Sequence, residues 1–146
     1  MPTRAATEWF SSRRKQDAIG RRIAAFCRLQ SSYKLLWQVF DGAGWGSGGC
    51  WVFADALVLE FPGAKLRFYY NKYDYVDHVV ALIDGFEYDG FGLVTPEQYG
   101  REERDGKPYT SSKTYIKYDG SIIRFPTVSE RIARALHNYL LAHPPV

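Results

Sequence analysis

Gly46-Ser47-Gly48-Gly49-Cys50-Trp51-Val52-Phe53-Ala54-Asp55-Ala56-Leu57-Val58-Leu59-Glu60 is the stretch on which the reading of this chain turns. Glycines permit sharp turns and close approach of other groups to the backbone. The run that follows them is apolar on nearly every side, which reads as a helix buried all round. Pro62 and Gly63 end it. A glycine loop that runs straight into a buried helix sets Cys50 in the first helical turn. The oriented N–H groups and macrodipole of a helix N-terminus favour a thiolate there. Cys50 is therefore the candidate nucleophile. The competing reading is a core cysteine that happens to begin a helix.

Upstream, Asp41 to Gly49 is too short to link two domains. Ile19, Ile23, Phe26 and Leu29 recur at helical spacing and predict an amphipathic helix over 12–30. Ser31 and Ser32 interrupt it, and a second short helix is expected over Tyr33 to Phe40. Downstream the chain turns β-rich. Lys65 to Tyr70 reads as a strand, and Asp77–Ile83 and Phe86–Gly90 flank Asp84-Gly85, a two-residue hairpin signal. Tyr115–Tyr118 and Ser121–Phe125 flank a second such pair, Asp119-Gly120. Residues 95–113 between them read as a polar surface segment with a helical turn after Pro96. Thr127-Val128-Ser129-Glu130 is a capping-box pattern that opens a last helix, with Ile132, Ala135, Leu136, Tyr139 and Leu140 as its apolar face. The expectation is one α+β domain over 1–146: N-terminal helices, a buried cysteine-bearing helix on an antiparallel sheet, and a C-terminal helix.

With 46% hydrophobic residues in 146, the chain can bury an ordinary single core. Its net charge of +3 is mildly basic. Arg13, Arg14, Lys15, Arg21 and Arg22 cluster, but at helical spacing they read as a solvated helix face, which argues against nucleic acid as the partner. No apolar run is long enough for a membrane span, and Met1 to Phe10 lacks the apolar core of a signal peptide, so a cytoplasmic protein is expected. Its two cysteines, Cys27 and Cys50, are expected to be reduced. No Cys-x-x-Cys pair or histidine cluster suggests a metal, and no cofactor is expected.

A nucleophilic cysteine needs a base. Of His78, His137 and His143, the first stands at the mouth of the apolar strand Val79-Val80-Ala81-Leu82-Ile83. A base is commonly oriented by an acid or amide. If Asp84-Gly85 is a two-residue turn, Ile83 pairs with Phe86 and Val80 with Asp89. Asp89 is then the diagonal neighbour of His78 on one face, about 7–8 Å away at Cα. Asp77 competes for this role, but alternation turns it to the opposite face. The plainer alternatives are a structural histidine and an aspartate that only initiates a turn. Cys27, in mid-helix with no glycine loop, reads as structural. Phe68, Tyr69, Tyr70, Tyr73 and Tyr75 read as a strand face and loop packed on the core.

Gly-Ser-Gly-Gly-Cys-Trp-Val-Phe-Ala resembles the active-site segment of papain-like cysteine peptidases, and Asp-His-Val-Val with the later Tyr-Asp-Gly resembles their histidine and acid strands. The likeness covers about residues 45–92, at the level of a superfamily that includes NlpC/P60 peptidases, transglutaminases, acetyltransferases, deamidase toxins and deubiquitinating enzymes. It implies a Cys50-His78-Asp89 triad, Gly49 and Trp51 beside the nucleophile, and a protein or peptide substrate cleaved at an amide, isopeptide or related acyl bond. Two departures stand out. Cys50 and His78 lie closer in sequence than in papain, and Gly44 occupies the position of papain's oxyanion glutamine, leaving Gln38 as the nearest upstream glutamine. The competing function is a non-catalytic binding module of inhibitor or immunity type on a similar fold.

Overall fold

The computed structural model describes residues 4–45, 49–70, 76–94, 111–115 and 125–145. Four helices are described: α1 Arg4–Cys27, α2 Gln30–Leu36, α3 Cys50–Glu60 and α4 Pro126–Ala142. Strands β1 Lys65–Tyr70, β2 Val76–Ile83, β3 Phe86–Asp89, β4 Gly92–Val94 and β5 Ser111–Tyr115 form an antiparallel sheet in the order β4-β3-β2-β1-β5. The class is α+β, as expected.

α1 starts well before residue 12, because Ala5, Ala6 and Glu8 are good helix formers with no glycine or proline among them. It buries Ile23 and Phe26. Ser31 and Ser32 do not interrupt a helix but lie inside α2, where the Ser32 hydroxyl donates to the carbonyl of Phe26 at 2.7 Å. It is a second bond to that carbonyl, which also accepts from the Leu29 N–H at 3.1 Å. α2 stops at Leu36, short of the expected Phe40.

α3 is the central helix. Val52, Phe53, Ala54, Ala56 and Leu57 are all inaccessible to solvent. It packs against α4 on one side and β2 on another. The core joins Ile23, Phe53, Leu57, Ala81, Tyr88 and Leu136, and a second cluster sets Ala54 against Phe68, Tyr70 and Val79. Phe68, Tyr69 and Tyr70 are thus core residues, whereas Tyr73 and Tyr75 lie outside the described residues.

The β2–β3 hairpin turns on Asp84 and Gly85, with φ of 51° and 83°. These left-handed values belong to a type I′ turn, which matches the strand twist. Strand β4 is not anticipated by the sequence, because Gly90 and Gly92 mask so short a run. β5 takes in Ser111 to Lys113, which correct the surface segment expected over 95–113. They pair with Tyr70, Tyr69 and Phe68 of β1. The helical turn after Pro96 and the Asp119-Gly120 hairpin fall outside the described residues.

α4 does not use the capping box. Pro126 occupies the first turn, Phe125 is the N-cap, and no side chain caps the helix. The fixed φ of proline suits that position without a side-chain cap. Ser129 instead donates its hydroxyl to the Val52 carbonyl of α3 at 3.1 Å. At the other end, Arg22 donates to the carbonyls of Leu140 and His143, each at 2.7 Å. A cation on the last carbonyls offsets the helix dipole. No helix among the described residues is long and apolar enough to cross a membrane.

Gly20 shows how closely α1 meets the sheet: a Cβ there would sit 2.7 Å from the backbone nitrogen of Leu93 in β4. Gly→Ala inside a helix ordinarily stabilises by about 1 kcal/mol. Here the sign reverses. Gly20→Ala is expected to cost roughly 1–3 kcal/mol by overpacking, read as a lower urea midpoint. An unchanged or higher midpoint would show that α1 does not press on β4.

Candidate active site

The site begins at the loop-to-helix junction. Gly49 is the N-cap of α3 and carries no side-chain cap. Its N–H donates to the Gly44 carbonyl at 3.1 Å, and its carbonyl accepts from Phe53 at 3.0 Å. A Cβ on Gly49 would lie 2.7 Å from Leu36 Cδ2 and 2.8 Å from the Gly44 oxygen. Glycine is needed here for space, since its φ of −92° suits any residue. Cys50 follows in the first turn, 6% exposed. Like any first-turn residue it has a backbone N–H with no acceptor inside the helix.

Trp45, in the same loop, is the anchor that sequence reading misses. It is almost fully buried. Its indole N–H donates to the Cys27 carbonyl at the end of α1, at 2.8 Å. Its ring packs on Phe53 of α3 and on Tyr33 of α2, with centroids 5.0 and 5.7 Å away. Its Cβ lies where a Cβ on Gly90 would be, 2.4 Å apart. Gly90 directly follows Asp89, so one indole ties the cysteine loop to the acid's turn. The available signal was a lone bulky residue in a glycine-rich loop, which has little reason to be there unless it is buried.

His78 lies opposite Tyr69, and the β1–β2 register slips between Tyr69 and Tyr70, which pairs with Val76. Bulges of this kind re-aim side chains and are common beside functional sites. Regular alternation sets His78 on the face opposite to Val79 and Ala81, which pack in the core. The predicted register holds: Ile83 pairs with Phe86, Leu82 with Glu87 and Ala81 with Tyr88. One step further brings Val80 opposite Asp89. His78 Nε2 lies 3.4 Å from Asp89 Oδ2, both side chains being largely buried. That is an ion-pair distance rather than a tight hydrogen bond. Asp89 also initiates a turn, accepting the Phe91 N–H on Oδ1 at 2.8 Å. One oxygen of Asp89 thus takes the turn bond and the other lies beside the imidazole. The side chain of Asp77 falls outside those described.

Burial alone would pull the His78 pKa down, but the neighbouring Asp89 carboxylate and then Cys50 outweigh it and push it up to about 9. Cys50 and Asp89 are thus both neighbours of the one imidazole.

The other expected residues fare differently. Gln38 is exposed, and its Oε1 accepts from Arg131 of α4 at 2.9 Å, so its side-chain carbonyl is committed away from the site. Trp51 is half-buried and packs on Phe125 and Phe40, with centroids 5.7 and 6.5 Å away. Cys27 is buried and forms no disulfide. Burial first, and then the charge of Asp89, push its thiol far up, which makes it inert. Beside the site, Glu87 Oε1 accepts from Arg67 at 2.8 Å and from the Tyr69 hydroxyl at 2.5 Å. This buried carboxylate ties β1 to β3 across β2. Among the described residues no group of three or more histidine, cysteine or acidic side chains is placed to hold a metal ion.

Comparison of the chain with family models, with curated proteins and with solved structures gives no match.

A His78 pKa near 9 lies above the ordinary 6.5, so protonation is favoured by folding. This group's contribution to stability is full below pH 6.5 and is lost as pH rises through about 9. The imidazole resonances of His78 should titrate near 9 in the folded protein and closer to 6.5 in Asp89→Asn. A wild-type midpoint at or below 6.5 would break the assignment of the pair. Gly90→Ala must displace Trp45 and is expected to slow iodoacetamide alkylation of Cys50 while the circular dichroism keeps its helical signal. Wild-type alkylation in a folded Gly90→Ala protein would remove Trp45 from the architecture of the site.

Proposed function

We propose that this chain is a papain-like cysteine hydrolase of compact type, cleaving an amide, isopeptide or related acyl bond in a protein or peptide. The observation that carries it is His78, whose imidazole is flanked by the Asp89 carboxylate and by the thiol of Cys50 at the start of a buried helix. In the working form the Cys50 thiolate faces the His78 imidazolium. The sulfur attacks the carbonyl carbon, and the carbonyl π electrons move to oxygen. The uncapped first turn of α3 offers the Cys50 N–H to that oxyanion. As the tetrahedral adduct collapses, His78 gives its proton to the departing amine, which leaves a thioester on Cys50. His78, now neutral, takes a proton from water, and the hydroxide cleaves the thioester to the acid and the Cys50 thiolate, which restores the thiolate–imidazolium pair. Asp89 holds the ring in orientation throughout. Gln38 is not part of this scheme, so a second oxyanion donor is not assigned to it. Two free cysteines suit a reducing, cytoplasmic setting.

A binding module of inhibitor or immunity type draws on two observations: the low exposure of Cys50 and the commitment of Gln38 to Arg131. The alignment of three chemically complementary side chains favours the hydrolase, because a binding module has no use for it.

Iodoacetamide near neutral pH should label Cys50 and spare Cys27. Turnover of a panel of peptide, isopeptide and glutamine side-chain substrates should fall about 10²–10⁴-fold in His78→Ala, the scale of a lost acid-base group, and vanish in Cys50→Ala. The kcat/KM profile should decline above about pH 9, where His78 no longer carries the proton that the leaving amine requires. An unreactive Cys50 together with no turnover on any of the three bonds would leave the binding module in its place.

A further inference from the structure

We infer that the groove between α1 and α4 is a docking surface for an acidic helical segment of a partner protein, separate from the Cys50 site. Arg14, Arg21 and Arg28 are exposed at seven-residue spacing. Arg28 lies just past α1, but its N–H still donates to the Ala24 carbonyl, so it continues the helical stripe. Seven residues advance a helix by about 10.5 Å and nearly two full turns. The three guanidinium groups therefore stand in one row along one face. Ala18 and Ala25 lie between them on the same face. Both line a groove of about 320 Å³ whose opposite wall is Tyr139, His143, Pro144 and Pro145.

The charge is segregated. Residues 14–28 hold five basic side chains against one acid, Asp17, a net of +4 in a chain whose total is +3. The rest of the molecule is thus slightly acidic. Asp17 has an interaction of its own, and Arg22 is taken up by the last carbonyls of α4. Arg14, Arg21 and Arg28, with Lys15, are the exposed cations of this stretch.

Charge complementarity and shape name the occupant. Alanines at heptad spacing let a second helix approach closely, within the 8–10 Å typical of packed helices. Carboxylates at seven-residue spacing on that helix would meet the arginine row, as charged flanks do along a coiled-coil seam. Such a rim sets partner choice and association rate more than affinity. Nucleic acid fits less well. Single strands are held by free aromatic faces, whereas Tyr139 and His143 stack on each other at 4.0 Å. Arg22, which also lines the groove, is taken up by the last carbonyls of α4.

The test uses the full chain and a fluorescein-labelled 21-residue helical peptide with glutamate at every seventh position and alanine and leucine between. The same peptide with lysine for glutamate, a 20-nucleotide single strand and a 20-base-pair duplex serve as competitors. The acidic peptide is expected to bind and to weaken as salt rises. Arg14→Glu/Arg21→Glu/Arg28→Glu should weaken it at least tenfold. Ala25→Trp, which fills the groove and leaves the charges in place, should weaken it by a similar factor. If Ala25→Trp loses its circular dichroism, Ala18→Leu takes its place. Wild-type binding by a folded groove-filling variant would overturn the proposal, as would tighter binding of either nucleic acid. So would self-association of the wild-type protein that the triple variant abolishes, since a second copy would then be the occupant.

Discussion

The buried indole of Trp45 is the contact that the rest of the site depends on. It arises in a glycine-rich loop, which by itself has almost no preferred shape. A tryptophan buries about 150–250 Å² and needs a partner for its N–H when it does so. The Cys27 carbonyl supplies that partner, and Phe53, Tyr33 and Gly90 supply the walls. Fixing one side chain therefore fixes the loop against α1, α2, α3 and the β3–β4 turn together. Cys50 begins α3 five residues later, and Asp89 precedes Gly90. The placing of Cys50 relative to Asp89 is therefore set by packing in the core.

Electrostatics then act inside that frame. His78 is buried enough that its charge should be disfavoured, yet its partners reverse the balance. They can do so because Asp89 is held on both sides, by the Phe91 N–H on one oxygen and by the imidazole near the other. A carboxylate fixed by the backbone loses little entropy when it engages the ring. The Arg67–Glu87–Tyr69 cluster adds a second tie across the same three strands, directly opposite His78 at Tyr69. The bulge next to that pair is where the β1–β2 ladder gives up regular pairing.

What could be read from the sequence follows from how local each signal is. α3 and β1 begin and end where the residues say, since Gly49 precedes α3, Pro62 and Gly63 separate the two, and each carries an unbroken pattern. The Asp84-Gly85 turn fixed the register, and through it the pairing of His78 with Asp89, because a two-residue turn leaves no freedom. The failures have non-local causes. Ser32 looks like a helix breaker, yet it lies inside α2 with its hydroxyl turned to the Phe26 carbonyl of α1. Thr127 and Glu130 look like a capping box, but Pro126 has already set the first turn and Ser129 is drawn across to α3. Gln38 is a glutamine at a plausible distance upstream, and only the approach of α4 explains why it faces Arg131. Trp45 and Gly90 are far apart in sequence, and no periodicity links them.

α1 shows why its basic run resists a single explanation. One helix must present four different surfaces. Ile23 and Phe26 face the core, while Gly20 lets the backbone lie against Leu93. Arg22 ends another helix by meeting its last carbonyls. Arg14, Arg21 and Arg28 remain on the one side that no described element covers. A merely solvated face would be expected to mix acids among its bases, because like charges at helical spacing repel. This face keeps its cations in a row and places alanines rather than long polar side chains between them. Repulsion among the arginines is tolerated in the free protein, and an acidic partner would relieve it. The same helix thus closes the core on its inner side and keeps a row of exposed cations on its outer side.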